Sequence, residues 1–184
     1  MLKIAITGKM RSGKDTLAEW FLEKQVAPFT FKTGIEEIVD KYYPTAKAHG
    51  KPRRHYQHIG QSLRELDNNV WVNYTLTNID KYIDKYPAKA RKYGVMITDL
   101  RQPNEYLALK NEGYTIIKVE CADDERLRRM QSAGDVFTAE DLQHETERNV
   151  DLIIADYVVD NNGSKKDLYI QFCNIWDELT TTDK

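Results

Sequence analysis

Gly8-Lys9-Met10-Arg11-Ser12-Gly13-Lys14-Asp15-Thr16 is the stretch that decides the fold. Two glycines five positions apart, then a lysine, match the first seven positions of the phosphate-loop pattern G-x-x-x-x-G-K-[ST]. The spacing has a chemical reason. Glycines Gly8 and Gly13 let the backbone curl so that N–H groups, including those of Arg11 and Ser12, point inward at phosphate oxygens. A helix starting at the loop's end adds its partial positive charge, and Lys14 reaches the outer phosphates as a point charge. One position departs. Asp15 stands where a serine or threonine usually binds magnesium, and Thr16 follows it. Either Asp15 holds the ion, through water, or Thr16 supplies the hydroxyl.

The flanks fit this reading. Leu2 to Thr7 carries Ile4, Ala5 and Ile6 in a row, as in a strand covered on both faces of a parallel sheet. Thr16 to Leu22 reads as a helix, with Leu17 and Phe21 four apart. Further out, Ala27 to Lys32 reads as a second strand and Val95 to Asp99 as a third that ends in an acid. Ligands in open parallel sheets bind beyond the carboxyl ends of the strands. There Asp99 can hold a metal-bound water and Arg101 can fork onto a second phosphate, or the pair is a helix cap with a surface ion pair. Asn104 to Asn111 predicts a helix stopped by Gly113, Tyr114 to Glu120 a strand, and Asp123 to Gln131 a helix with an aspartate cap. Thr138 and Asp141 form a capping-box pattern for the next helix. Tyr157 to Asp160 predicts a last strand, and Leu168, Phe172, Ile175, Trp176 and Leu179 the stripe of a final helix. This alternation argues an α/β domain with a mostly parallel sheet. Residues 33–93 break it. They are rich in charge and tyrosine, Leu63, Leu66, Val70 and Tyr74 mark one helical face, and the stretch reads as a helical insertion on the sheet.

Composition sets the outer limits. With 184 residues, 41% hydrophobic and 30% charged, the chain supports one ordinary core. Its net charge of -2 excludes a general polyanion-coating role, and no specific nucleic-acid binding is expected. No apolar run approaches the roughly 20 residues of a membrane span. Met1 to Ile4 does not open a signal peptide, and Cys121 and Cys173 make no disulfide framework, so a cytoplasmic location is expected and the two thiols are read as inert.

The loop, with aspartate after its lysine, resembles that of the phage-type deoxynucleoside monophosphate kinases, and animal phosphomevalonate kinases have a similar one. Gln57-His58-Ile59-Gly60 with Arg64, Asp67 and Trp71-Val72 is similar to the acceptor-domain motif of the first family. Ile97 to Glu105 resembles its strand-end signature, and His144-Glu145-Thr146-Glu147 its His-Pro-Ser-Glu stretch. Asp156 to Gly163 resembles its last strand and base-binding turn. The matches run in order from residue 2 to about 170. Two departures stand out: Phe31 to Glu36 lacks the Ala-x-Pro-Leu-Lys pattern usual after the second strand, and Glu145 replaces a proline.

The resemblance implies a P-loop kinase fold, with a five-stranded parallel sheet, a helical acceptor-binding insertion at about 33–93 and a short lid at about 126–142. It implies transfer of the γ-phosphoryl group of ATP, with Mg²⁺, to a (deoxy)nucleoside 5′-monophosphate, and so a place in deoxynucleotide metabolism. In that reading Lys14 holds the donor phosphates, and Gly8, Arg11, Ser12, Gly13, Asp15 and Thr16 complete the cradle. Asp99, with Asp15 or Thr16, organises the metal, and Arg101 and Arg64 clamp the acceptor phosphate. Arg128 or Arg129, in preference to Arg126, closes over the transferring group. Asn161 and Gly163 lie against the donor adenine, or simply form a turn. Trp71 faces the acceptor base or is a core tryptophan, and Gln57 hydrogen-bonds that base. Arg54, or its neighbour Arg53, contacts the acceptor, or the pair is a solvated loop. His49, His55 and His58 match no zinc spacing. A homodimer is left open. The competing functions are a kinase of another small phosphorylated metabolite and an ATP-binding P-loop module without kinase activity.

Overall fold

A computed structural model describes residues 1–48, 50, 52–134 and 145–181. Five strands, β1 (Lys3–Thr7), β2 (Ala27–Phe29), β3 (Val95–Leu100), β4 (Thr115–Glu120) and β5 (Tyr157–Asp160), form one sheet in the order β2-β3-β1-β4-β5. Every pairing is parallel. Helices cover both faces, so the middle of the central strand is apolar: Ile4, Ala5 and Ile6 of β1 are fully buried. On one face, Ile4, Ile6, Met96, Ile117 and Val119 pack against α1 (Lys14–Glu23) and the C-terminal helix Lys165–Thr181. Phe21 and Phe172 meet edge to face there, with ring centroids 5.0 Å apart. On the other face, Ala5, Val95, Ile97 and Ile116 pack against helices that follow β2 and β3.

Between β2 and β3 the chain forms α2 (Thr33–Tyr42), α3 (Arg53–Leu66), α4 (Val70–Lys85) and α5 (Pro87–Tyr93). The expected single face of Leu63, Leu66, Val70 and Tyr74 is corrected here. The helix breaks between Leu66 and Val70, where Asp67 Oδ1 accepts the Asn69 N–H at 2.8 Å, and Leu66 stands 85% exposed. A local aspartate turn competes with helix continuation at that point. After β3 come α6 (Pro103–Asn111), α7 (Asp123–Ser132), α8 (Glu145–Leu152) and α9 (Lys165–Thr181). The capping pattern at Thr138 and Asp141, and residues 135–142 of the expected lid, lie outside the described residues. No helix among the described residues is long and apolar enough to cross a membrane.

Two departures at strand ends shape the site. The second strand stops at Phe29, short of the expected Lys32, because the Phe31 and Lys32 N–H groups donate to the Asp99 carboxylate rather than to a ladder. In β3, Ala5 pairs with Ile97 but Thr7 pairs with Leu100, so Thr98 and Asp99 together oppose Ile6. A bulge of this kind re-aims the side chains it carries.

Candidate active site

The loop between β1 and α1 is built from backbone conformations that few residues adopt. Arg11 has φ 61 and Gly13 has φ 101, both left-handed. The Ser12 N–H closes a turn on the Lys9 carbonyl at 3.1 Å. Gly8 is required for space: a Cβ there would meet the Val119 carbonyl oxygen of β4 at 2.8 Å. Gly13 is also the N-cap of α1 and supplies no capping side chain, an arrangement in which the first amides of a helix can take an anion. Lys14 lies at that helix start, 16% exposed, with its Nζ 2.5 Å from Asp15 Oδ1. Asp15 is 82% exposed and Thr16 is half-buried.

Asn161, at the end of β5, supports the loop from below. It is buried, its Nδ2 donates to the Ser12 carbonyl at 2.7 Å, and its own N–H donates to the Glu120 carbonyl at 2.8 Å. This contact places Asn161 under the loop rather than in an open groove. Gly163, in the turn that follows, is exposed.

Next to the loop, the end of β3 gathers a charged group. The Asp99 oxygens accept the Phe31 and Lys32 N–H groups at 2.9 and 3.2 Å, which caps the start of α2. Burial raises the Asp99 carboxyl above its ordinary range. Arg101 is held at both ends. Its backbone N–H donates to Glu105 Oε2 at 2.9 Å, and its Nη1 donates to Glu147 Oε1. Arg64, from α3, lies 3.8 Å from Glu105 Oε1. Gln57 is exposed on the same helix, one turn before Gly60, and Arg54 is exposed at its start. Glu105 thus lies beside the Arg64 guanidinium and the Arg101 backbone, while the Arg101 guanidinium turns to Glu147.

Trp71 is corrected. Of its two readings the structure gives the core one: it is 3% exposed, its Nε1 donates to the Gly60 carbonyl at 3.1 Å, and its ring lies over Gly34. It therefore packs α2, α3 and α4 together and offers no open face to a base.

The three arginines of α7 differ sharply. Arg126 is buried: Nε donates to the Met10 carbonyl at 2.7 Å, Nη1 to Asp123, and Nη2 lies 3.3 Å from Glu147 Oε2. Arg128 is 69% exposed and forks onto Glu125 with two bonds of 2.7 Å. Arg129 donates to Glu125 at 2.8 Å and to the Asn161 carbonyl at 2.8 Å. The guanidiniums of Arg128 and Arg129 hold the Glu125 carboxyl down to about 2. His55 lies against the Tyr43 ring, centroids 5.0 Å apart, and His58 is exposed; His49 lies outside the described residues.

Magnesium takes one or two carboxylates, several waters and phosphate oxygens rather than an all-protein cage. The donors here fit that pattern. Asp15 is an exposed carboxylate in the first turn of the phosphate-loop helix, Thr16 adds a hydroxyl, and Asp99 keeps lone pairs beyond the two N–H groups it accepts. Among the described residues no three His, Cys, Asp or Glu side chains form a cluster able to hold a metal alone.

Two solved structures show similar chain folds over nearly their full lengths. A dephospho-CoA kinase from Campylobacter jejuni has a TM-score of 0.56 at 14% identity, covering 99% of this chain and 98% of that one. A shikimate kinase from Bacteroides thetaiotaomicron has a TM-score of 0.55 at 18% identity, covering 97% of this chain and 98% of that one. The fold is that of the P-loop kinases. No protein-family model matches the chain, and no curated protein sequence matches it.

Sequence reading gave no role to two carboxylates of this site. Glu105 had a local signal, since it stands three residues after the helix-capping Gln102 and reaches back to its N–H at 2.9 Å. Glu147 stood within the stretch that resembles the His-Pro-Ser-Glu motif, but nothing local gave its role: its partners Arg101 and Met10 are 46 and 137 residues away.

Glu105 also yields a pH prediction. Burial raises its carboxyl from 4.5 to about 7, outweighing the Arg101 and Gln102 amides that favour the charged form. The folded chain binds this proton more tightly than the unfolded one. Its stabilising effect is therefore full below about pH 4.5 and is lost as pH rises through about 7. Glu105→Gln keeps an acceptor oxygen for both amides and removes the titration. The stability of the variant relative to the wild type is expected to rise from about pH 5 to about pH 8, by at most about 3 kcal/mol. Urea unfolding across that range checks it, and a difference that is flat with pH refutes it.

Proposed function

We propose that the protein is an ATP-dependent kinase that transfers the γ-phosphoryl group to a (deoxy)nucleoside 5′-monophosphate. The observation that carries this reading is the pairing of two anion sites on adjacent strands. The phosphate loop follows β1, and Arg101 with Arg64 stands at the end of β3, its immediate neighbour in the sheet. A phosphoryl group moving between two phosphates needs both sites, held in line. The names of the structurally similar proteins support a small-molecule kinase in general.

In this reading Lys14 and the α1 amides hold the donor β- and γ-phosphates, and Asp15 or Thr16, with Asp99 through water, hold Mg²⁺. The ion neutralises charge on the donor oxygens when bound. Arg101 and Arg64 fix the acceptor phosphate, Gln57 lies toward the acceptor base, and Arg54 stands at the entrance. Asn161 shapes the donor loop from beneath, and Gly163 lines the turn beside it. The enzyme would work in the cytoplasm.

Of the lid arginines, Arg128 is the one whose guanidinium is largely in solvent; among the described residues it is bound to Glu125, one turn back on the same helix. It is assigned the cation that swings onto the transferring group. Arg128→Ala is expected to lower kcat by about 100-fold or more. Its stability should change by less than about 1 kcal/mol, as for other exposed ion pairs. Arg129→Ala is instead expected to weaken ATP binding, because Arg129 holds the Asn161 carbonyl. Steady-state kinetics with separate ATP and acceptor titrations distinguishes them, and full turnover in Arg128→Ala refutes the assignment.

The test of the function is ADP release with ATP and Mg²⁺ across the common ribo- and deoxynucleoside monophosphates. Release that depends on one of them supports the reading and reveals the base. A second reading, a kinase of another small phosphorylated metabolite, is favoured by the burial of Trp71, which removes one base contact from the acceptor side. It predicts that no nucleotide stimulates release although ATP binds. An ATP-binding module predicts binding without release to any phosphorylated acceptor.

A further inference from the structure

Glu147 is the most heavily committed carboxylate of the described residues around the loop, and no step of the reaction above uses it. Its side chain is 3% exposed, in the first half of α8. Oε1 accepts Arg101 Nη1, while Oε2 accepts the Met10 N–H at 2.8 Å and lies 3.3 Å from Arg126 Nη2. Arg126 in turn donates to the Met10 carbonyl at 2.7 Å. Both polar groups of the Met10 residue are therefore held, its N–H by Glu147 and its carbonyl by Arg126. One carboxylate thus joins the donor loop, the acceptor arginine and both helices that flank the lid segment.

We propose that Glu147 is a positioning residue that sets the separation between the donor phosphate loop and the acceptor-phosphate arginine. The proposal rests on the kinase reading. The two carboxylate oxygens are a rigid spacer: one is fixed on Met10 of the loop, the other on Arg101. Charge-assisted bonds of this kind are short and directional, and the site is closed to water that would otherwise soften them. A guanidinium presents its donors on more than one edge of a plane. Holding Arg101 by Nη1, with its backbone N–H on Glu105, fixes the plane in which the other edge meets a phosphate. In-line transfer is sensitive to displacements of about 1 Å, which gives the spacer its leverage on rate.

The experiment compares wild type with Glu147→Gln, Glu147→Asp, Arg101→Ala and the double variant Arg101→Ala/Glu147→Gln. It measures ADP release, ATP affinity and thermal unfolding. Glu147→Gln keeps one acceptor oxygen and turns an NH₂ toward the other donor, so one link breaks. The expected result is a fall of about 100-fold in kcat/KM for the acceptor. ATP affinity should stay within about 3-fold, because Lys14 and the α1 amides are untouched. Glu147→Asp keeps the charge and shortens the arm, so it is expected to fail as badly as Glu147→Gln. In the Arg101→Ala background, Glu147→Gln is expected to cost less than about 3-fold more, since its acceptor effect runs through Arg101. Three results overturn the proposal: acceptor kinetics unchanged in Glu147→Gln with only a lower unfolding temperature, restoration by Glu147→Asp, or full multiplication of the two single effects. A wild type that transfers nothing to any acceptor overturns the kinase reading and this role with it. Wild-type transfer with insensitive variants overturns this role alone.

Discussion

Lys14→Ala is expected to abolish acceptor-dependent ADP release, lowering kcat by at least about 100- to 1,000-fold while leaving the fold in place. The lysine stands at the start of α1 with its Nζ beside Asp15, directly after the loop glycine. Phosphoryl transfer depends on positioning and on neutralising charge that spreads over the transferring oxygens. Of the loop's cations, Lys14 is the one that stands at the helix start beside Asp15, so its removal strips charge from the position where it develops. The structural consequence is small. Among the described residues Lys14 pairs with Asp15, which is 82% exposed, so the pair contributes little stability. The measurement is ADP release with the best acceptor, beside thermal unfolding of both proteins. Unchanged turnover in a folded Lys14→Ala protein rejects the loop as the donor site.

Gly13→Ala is expected to damage the molecule at the same place by a different route. Gly13 has φ 101, and an alanine there carries left-handed strain of about 1–3 kcal/mol. Its methyl group would also fall on the Asn161 amide nitrogen. That amide donates to the Ser12 carbonyl from a buried position, so it must swing away and leave the carbonyl unpaired, costing about a further 1–3 kcal/mol. A total near 3 kcal/mol corresponds to a fall of about 6–12 °C in Tm for a chain of this size. ADP affinity falls with it, because the loop loses the shape that gathers its amides. Gly113→Ala is the comparison. Gly113 has φ 75 but nothing within 4 Å of a Cβ, so it reports strain without collision. Equal losses of Tm in the two variants would show that Asn161 plays no part in supporting the loop.

Much of this architecture could be read in the residues alone, for reasons that are local. The Ile4-Ala5-Ile6 run, the two loop glycines and the lysine after them specify a buried strand, a curled turn and a helix start within fifteen positions. The alternation of apolar runs with helical stripes specifies the parallel α/β fold, because each pattern reflects one element meeting the core. Arg101 and Asp99 announced themselves by standing at a strand end. The residues between β2 and β3 showed their helical character but not the break at Asp67, where one side chain binding its neighbour's N–H outweighs a continuous apolar face.

Other features depend on contacts that no local pattern records. The bulge that aims Asp99 at the Phe31 and Lys32 amides arises from pairing between β1 and β3, about ninety residues apart. Whether Trp71 met a base or the core depended on how α2, α3 and α4 close around it, and they close completely. Three arginines in a row of four on α7 look alike in sequence; their burial separates one clamp on Met10, one solvent-facing fork and one brace under Asn161. Sequence by itself determined the strand-loop-helix and the alternation of strands and helices along the chain, because those follow from period and backbone freedom. Only the tertiary structure decided which charges face each other, because a buried carboxylate such as Glu147 is defined by partners that the chain brings to it from a distance.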